Sequence, residues 1–234
     1  MMKQIAEVSP RVTARIAGAF YLLVFLTGGA AFAFVDRLVV HGNPAATATN
    51  ILAHEASFRL GWTLNLVATA CYIVVTALFY VLFKPVNKTL SLTAAFFSLV
   101  GCAIGGFSSV FQLAPLLILK SAQAQNVFNP AQLQSLAYTF FQLNGGIGLV
   151  FFGFYCGLIG CLIVRSDFLP RILGAGMMLA GLGWLMFLWP PLARAVAPYN
   201  MAAGMLGEGL LTLWLLVVGV NVQRWHGQAI AEQI

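Results

Sequence analysis

Six long apolar stretches run through this chain almost without charge, and a stretch of that length and character has one stable environment. A helix rises 1.5 Å per residue, so about 20 apolar residues carry it across the ~30 Å hydrocarbon core of a bilayer with its backbone groups bonded internally. The stretches are 16–35, 60–83, 91–119, 133–164, 172–188 and 204–222. Charges or prolines close them: Arg11 and Arg15 flank the first, Lys84-Pro85 ends the second, Arg165 the fourth, Trp189-Pro190-Pro191 the fifth and Arg224 the sixth. Composition agrees, with 61% hydrophobic and 8% charged residues over 234 positions. A soluble domain has roughly 45–50% apolar and about 25% charged residues. A soluble enzyme, a secreted disulfide scaffold and a disordered chain are all excluded. The expectation is an all-α membrane protein, a single transmembrane domain over residues 1–234 built as a six-transmembrane-helix bundle.

Basic residues near span ends favour the cytoplasmic side. With the N-terminus inside, the inner segments hold Lys3, Arg11, Arg15, Lys84, Lys88, Arg165, Arg171 and Arg224, and the outer ones Arg37, Arg59, Lys120 and Arg194. Eight against four predicts both termini cytoplasmic. The net charge of +6 is then a topology signal and an attraction for anionic headgroups, so membrane lipids are the expected partners and nucleic acid is not. Ala31-Phe32-Ala33 resembles a signal-peptide cleavage motif, but the preceding apolar run exceeds the 7–15 residues of a signal-peptide core. The first helix is expected to be retained.

Asn43-Pro44 and Asn129-Pro130 each set a capping residue before a proline suited to the first helical position. The first predicts a short amphipathic helix in the first outer loop, with Thr47, Asn50 and Glu55 on its polar side. The second predicts a helix leading into span four. Spans three and four exceed the bilayer core and must tilt or break, and Gly101, Gly105, Gly145, Gly146 and Gly148 offer places for it. Gly101-x-x-x-Gly105 and Gly153-x-x-x-Gly157 permit close helix approach. Cys71, Cys102, Cys156 and Cys161 fall in apolar runs with no metal or disulfide spacing, so they read as small core residues.

An ionisable side chain inside a span is costly and is by default a functional candidate. Glu208, in Gly207-Glu208-Gly209, is the one such residue, about one turn inside the outer end of span six. Counted by depth, Asn65, Gln112, Gln142 and Asn144 fall about five to eleven residues from their own outer ends, which puts all five in one polar layer. The inner halves are mostly apolar, with Tyr72, Thr76, Tyr80 and Tyr155 as polar exceptions. Two plainer readings compete: amides glue helices together in any bundle, and a carboxylate can reach the interface or sit near a helix N-terminus. If the layer encloses a cavity, it opens outward. His41, His54 and His226 all lie outside the spans, so a pair of intramembrane haem ligands is lacking. No phosphate loop, H-E-x-x-H, G-x-S-x-G or C-x-x-C occurs. No metal, cofactor or catalytic set is therefore expected.

Several segments carry a family resemblance: Ala14-Arg15-Ile16-Ala17-Gly18, Arg37-Leu38-Val39-Val40, Asn50-Ile51-Leu52-Ala53-His54-Glu55, Phe58-Arg59-Leu60-Gly61 and Pro85-Val86-Asn87. Leu149-Val150-Phe151-Phe152-Gly153, Phe168-Leu169-Pro170-Arg171-Ile172-Leu173-Gly174 and Gly207-Glu208 continue it over nearly the whole chain. They resemble a family of bacterial multi-pass membrane proteins known only as a domain of unknown function. The resemblance implies an integral protein of the bacterial inner membrane with this topology, and no activity. Two classes of function stay open. In one, a non-enzymatic binding or accessory protein, or a small-solute transporter, holds a small molecule or lipid in the outer polar layer. In the other, an intramembrane enzyme uses Glu208 as acid or base with help from His54 or Glu55.

Overall fold

The computed structural model describes residues 9–143 and 146–231, and every regular element among them is helical. In chain order they are α1 (Pro10–Asp36), α2 (Pro44–Ala53), α3 (Glu55–Phe83), α4 (Lys88–Lys120), α5 (Ala122–Val127), α6 (Pro130–Gln142), α7 (Ile147–Arg165), α8 (Arg171–Leu185), α9 (Pro190–Ala195), α10 (Tyr199–Val217) and α11 (Val222–Ala231), with a 3-10 turn at Met186–Leu188 between α8 and α9. Six helical stretches are long and apolar enough to cross a membrane. They coincide with the six expected spans, and the fold is an all-α membrane fold.

Helix limits differ from span limits for identifiable reasons. Asn43 caps α2 by accepting from the Ala46 N–H, and Asn129 forms a full capping box with Gln132 at the start of α6. In the fourth stretch α6 ends at Gln142 and α7 starts at Ile147, and the expected tilt or break at Gly145 falls on Asn144 and Gly145, which lie outside the described residues. α4 instead continues unbroken for 33 residues with Pro115 inside it, about 50 Å of helix. α3 starts at Glu55, before the expected Leu60, because its charged first turn is satisfied locally. Glu55 bonds Arg59 one turn on at 2.8 Å and Lys120 at 2.7 Å. α10 starts at Tyr199 and ends at Val217, where Gly219 takes φ +75 and the amides of Val218 and Gly219 both return to the Trp214 carbonyl. That left-handed terminus suits glycine and closes the helix before the expected Val222.

The chain divides into two compact units. One comprises Val24–Ala70 and Ala103–Gly146. Its core gathers Val35, Leu38, Ile51, Phe58 and Leu116, and a second cluster joins Ala48, Leu119, Leu133 and Ala137. α2 packs on α6. The polar residues of α2 do not all face outward as an interfacial helix would have them. Thr47 is 2% exposed and bonds the backbone of Val40, and Asn50 donates to the Leu38 carbonyl at 3.2 Å. They hold the 38–40 turn onto the helix, so its apolar and polar sides are both used within the protein.

The other unit comprises Met1–Leu23, Cys71–Cys102 and Ile147–Ile234. Its helices meet backbone to backbone. A Cβ built on Gly160 would stand 2.7 Å from the Gly174 carbonyl, and one on Gly181 2.7 Å from that of Gly153 and 2.9 Å from the Gly157 amide. In the Gly153-x-x-x-Gly157 spacing Gly153 is the position that faces α8, its Cβ site 3.0 Å from the Gly181 carbonyl, while a Cβ on Gly157 would meet open space. The Gly101-x-x-x-Gly105 spacing is used at one position only, because Gly101 meets Phe152 and Gly148 while Gly105 has open space. Glycines recur where α8 meets α10, and Gly18 brings α1 against Leu216 of α10. The Trp225 indole anchors α11 by donating to the Leu82 carbonyl at 2.9 Å. The four cysteines are free.

Candidate functional site

α10 begins five residues earlier than its apolar run, and this puts Glu208 further along its helix than the sequence count had it. Nine residues separate Tyr199 from Glu208 in a helix of 19, so the carboxylate sits about 13 Å along its axis, near the helix midpoint. It is 6% exposed. A position so far from the first turn gains little from the helix N-terminus.

The carboxylate is surrounded by donors on other helices of the same unit. Tyr21 of α1 donates its hydroxyl to Oε2, and Tyr72 of α3 donates to the same oxygen at 3.2 Å. Trp184 of α8 donates its indole N–H to Oε1 at 2.5 Å. The Cys156 thiol of α7 also faces the carboxylate. Tyr21 and Tyr72 are themselves 3.2 Å apart at their hydroxyls and meet edge to face at 5.4 Å. This uses both parts of amphipathic aromatic side chains: the rings join the apolar core and the polar tips converge on one carboxyl group.

Local sequence explains the convergence. Gly204 lies one turn before Glu208 on α10, and any Cβ there would overlap the Trp184 ring; Gly207 has the same relation to the Gly176 backbone. The two glycines let α8 come close enough for its indole to reach the acid. Tyr155 of α7 lies beside this group, its ring 5.9 Å from that of Tyr72. Its hydroxyl is buried and has no hydrogen-bond partner among the described residues.

The other expected site residues are placed differently. Asn65 and Gln112 belong to the Val24–Ala70 and Ala103–Gly146 unit, where Asn65 donates to the Gln112 side chain at 3.3 Å. Gln142 is exposed at the end of α6, and Asn144 lies outside the described residues. The structure therefore brings together one pair of the amides, and gives Glu208 a set of aromatic partners. Tyr21 and Trp184 were not signalled by the depth count, and Tyr72 was assigned to the inner half. A search for aromatic hydrogen-bond donors inside spans, beside the amides, would have found all three.

Six spanning-length helices and a mid-helix carboxylate enclosed by hydroxyl and indole donors define a polytopic membrane protein with a buried polar centre. The chain belongs to the family described as Domain of unknown function (DUF4386), whose model matches residues 16–219. It is similar to an uncharacterized protein of the archaeon Archaeoglobus fulgidus, 27% identical over 150 residues, which span 63% of this chain and 76% of that protein. No solved structure matches it.

Proposed function

We propose that the protein is a non-enzymatic binding or accessory protein of the cytoplasmic membrane, with Glu208 as the polar contact for a small molecule or the headgroup of a lipid. The supporting observation is the carboxyl group at mid-helix. An acidic residue at the centre of a span costs about 2.5–3.5 kcal/mol on insertion scales, and this chain meets that cost with donors from three other helices. The Tyr155 hydroxyl adds a buried donor beside the group that no acceptor among the described residues uses, and buried polar groups ordinarily find one. Asn65 and Gln112, joined at 3.3 Å within the other unit, form a polar pair of their own.

The test is mass spectrometry of small molecules and lipids extracted from the purified protein in nanodiscs. A species bound to the wild-type chain should be lost from Glu208→Gln and kept by Leu210→Ala, whose side chain is 57% exposed on the same helix. Thermal unfolding of the three proteins confirms that each is folded. Identical extracts from a folded Glu208→Gln variant would refute the reading.

A further inference from the structure

At one end of the unit that holds Glu208, where α1 begins and α10 ends, lies an open cleft of about 590 Å³, within the range of small-ligand sites. It is built from the first turn of α1, the loop from α7 to α8, the last turn of α10 and the start of α11. Arg11 and Arg224 line it from different helices, with Gln223 beside them and the Trp214 and Val218 side chains forming an apolar wall. Asp167 lines it too, without an ion pair to either arginine, and is the only acid at this end among the described residues. The Arg11 side chain makes no hydrogen bond to another described residue; its stem lies against Gly219, whose Cβ would meet the Arg11 Cγ at 3.2 Å. Arg224 spends one N–H on the Asp167 carbonyl at 3.2 Å, which leaves the rest of its fork free.

We propose that this cleft binds the phosphate of an anionic phospholipid headgroup. Two guanidinium groups supply planar, multi-donor recognition of phosphate. The wall adjoining them belongs to the last turn of a spanning helix, and its tryptophan is of the type that sits at headgroup level. An anionic group at the arginines would place an acyl chain along Val218 and Trp214, into the hydrocarbon. A free anion would use the arginines but leave that wall without an occupant, which favours the lipid over inorganic phosphate. Further basic residues at the same helix ends, Arg15, Lys84, Lys88, Arg165 and Arg171, raise the local concentration of anionic lipid without lining the cleft.

The full-length protein in neutral detergent is titrated with dimyristoyl phosphatidylglycerol, dimyristoyl phosphatidylcholine or inorganic phosphate, and binding is read by native mass spectrometry. Phosphatidylglycerol should bind at least about tenfold more tightly than phosphatidylcholine. Arg11→Gln with Arg224→Gln, which keeps both stems, should remove most of that preference. Lys84→Gln with Lys88→Gln, which removes the same charge outside the cleft, should leave it largely intact. Equal losses in both pairs would reduce the effect to diffuse charge and overturn the site. Displacement of the lipid by millimolar inorganic phosphate would overturn the lipid assignment in favour of a free anion.

Discussion

Gly204 holds no group that could touch a ligand, yet its replacement by alanine should disturb the Glu208 centre. The new methyl would overlap the edge of the Trp184 ring where Cζ2 and Cε2 lie, and would stand 3.0 Å from Cη2. Carbon atoms settle at about 3.5–4.0 Å, so the ring must retreat by roughly 1 Å or more. Cε2 is bonded to Nε1, and the indole N–H moves with it. A 2.5 Å bond to Oε1 lengthened by that amount reaches roughly 3.5 Å, where little of it remains. Overpacking of this kind costs typically 1–3 kcal/mol, and a hydrogen bond within a membrane protein about 0.6–1.7 kcal/mol. Gly204→Ala should therefore destabilise by about 2–4 kcal/mol, partly offset by the better helix propensity of alanine. Thermal and denaturant unfolding in detergent measures it. Specificity comes from the double-mutant cycle with Trp184→Phe, which removes the donor and shortens the ring. Alanine at 204 should cost less in that background, with a coupling of at least about 0.5 kcal/mol. A variant within about 0.5 kcal/mol of wild type, or strict additivity, would show that Gly204 does not position the indole.

The same helix supplies an internal comparison. A Cβ on Gly207 would stand 2.8 Å from the Gly176 carbonyl carbon and 2.9 Å from Ala180, while Gly209 has open space. Gly207→Ala should thus lose about 1–3 kcal/mol, and Gly209→Ala should be neutral or gain up to about 1 kcal/mol in the same unfolding assay. Asn129→Ala removes the capping box of α6 and should cost about 1 kcal/mol, with faster amide exchange confined to the first turn if the cap acts locally. A reporter active only outside the cytoplasm, fused after Ile234, should be silent; activity there would reverse the orientation drawn from eight inner against four outer basic residues.

Long-range order in this chain was written in apolar length, and for that reason the spanning helices were legible while their limits were not. Hydropathy records where lipid begins, and a helix continues past that point whenever its polar turns are satisfied. Glu55 with Arg59 and Lys120 extended α3 in this way, and the early start of α10 placed Glu208 near its helix midpoint rather than one turn past its start. The caps at Asn43 and Asn129 were readable because a proline fixed the adjoining geometry. The acid itself stood out as the sole ionisable residue of the spans. Its partners did not, because residues as distant in sequence as Tyr21, Tyr72 and Trp184 meet only through the packing of α1, α3 and α8 onto α10.

The two polar groupings that depth counting merged differ in physical kind. Asn65 and Gln112 are neutral, partly buried and joined by one bond of 3.3 Å, an arrangement that serves as modest glue between two helices. Glu208 instead concentrates donors from α1, α3 and α8 on one side chain. An apolar residue of similar volume, with its donors likewise replaced by apolar rings, can match a buried charged network in stability. Folding alone consequently gives weak reason to assemble an acid, two tyrosines, an indole and the glycines that admit them. A centre of this composition holds a carboxyl group in fixed position at mid-helix, and a fixed polar group there can discriminate among molecules that hydrocarbon side chains would treat alike.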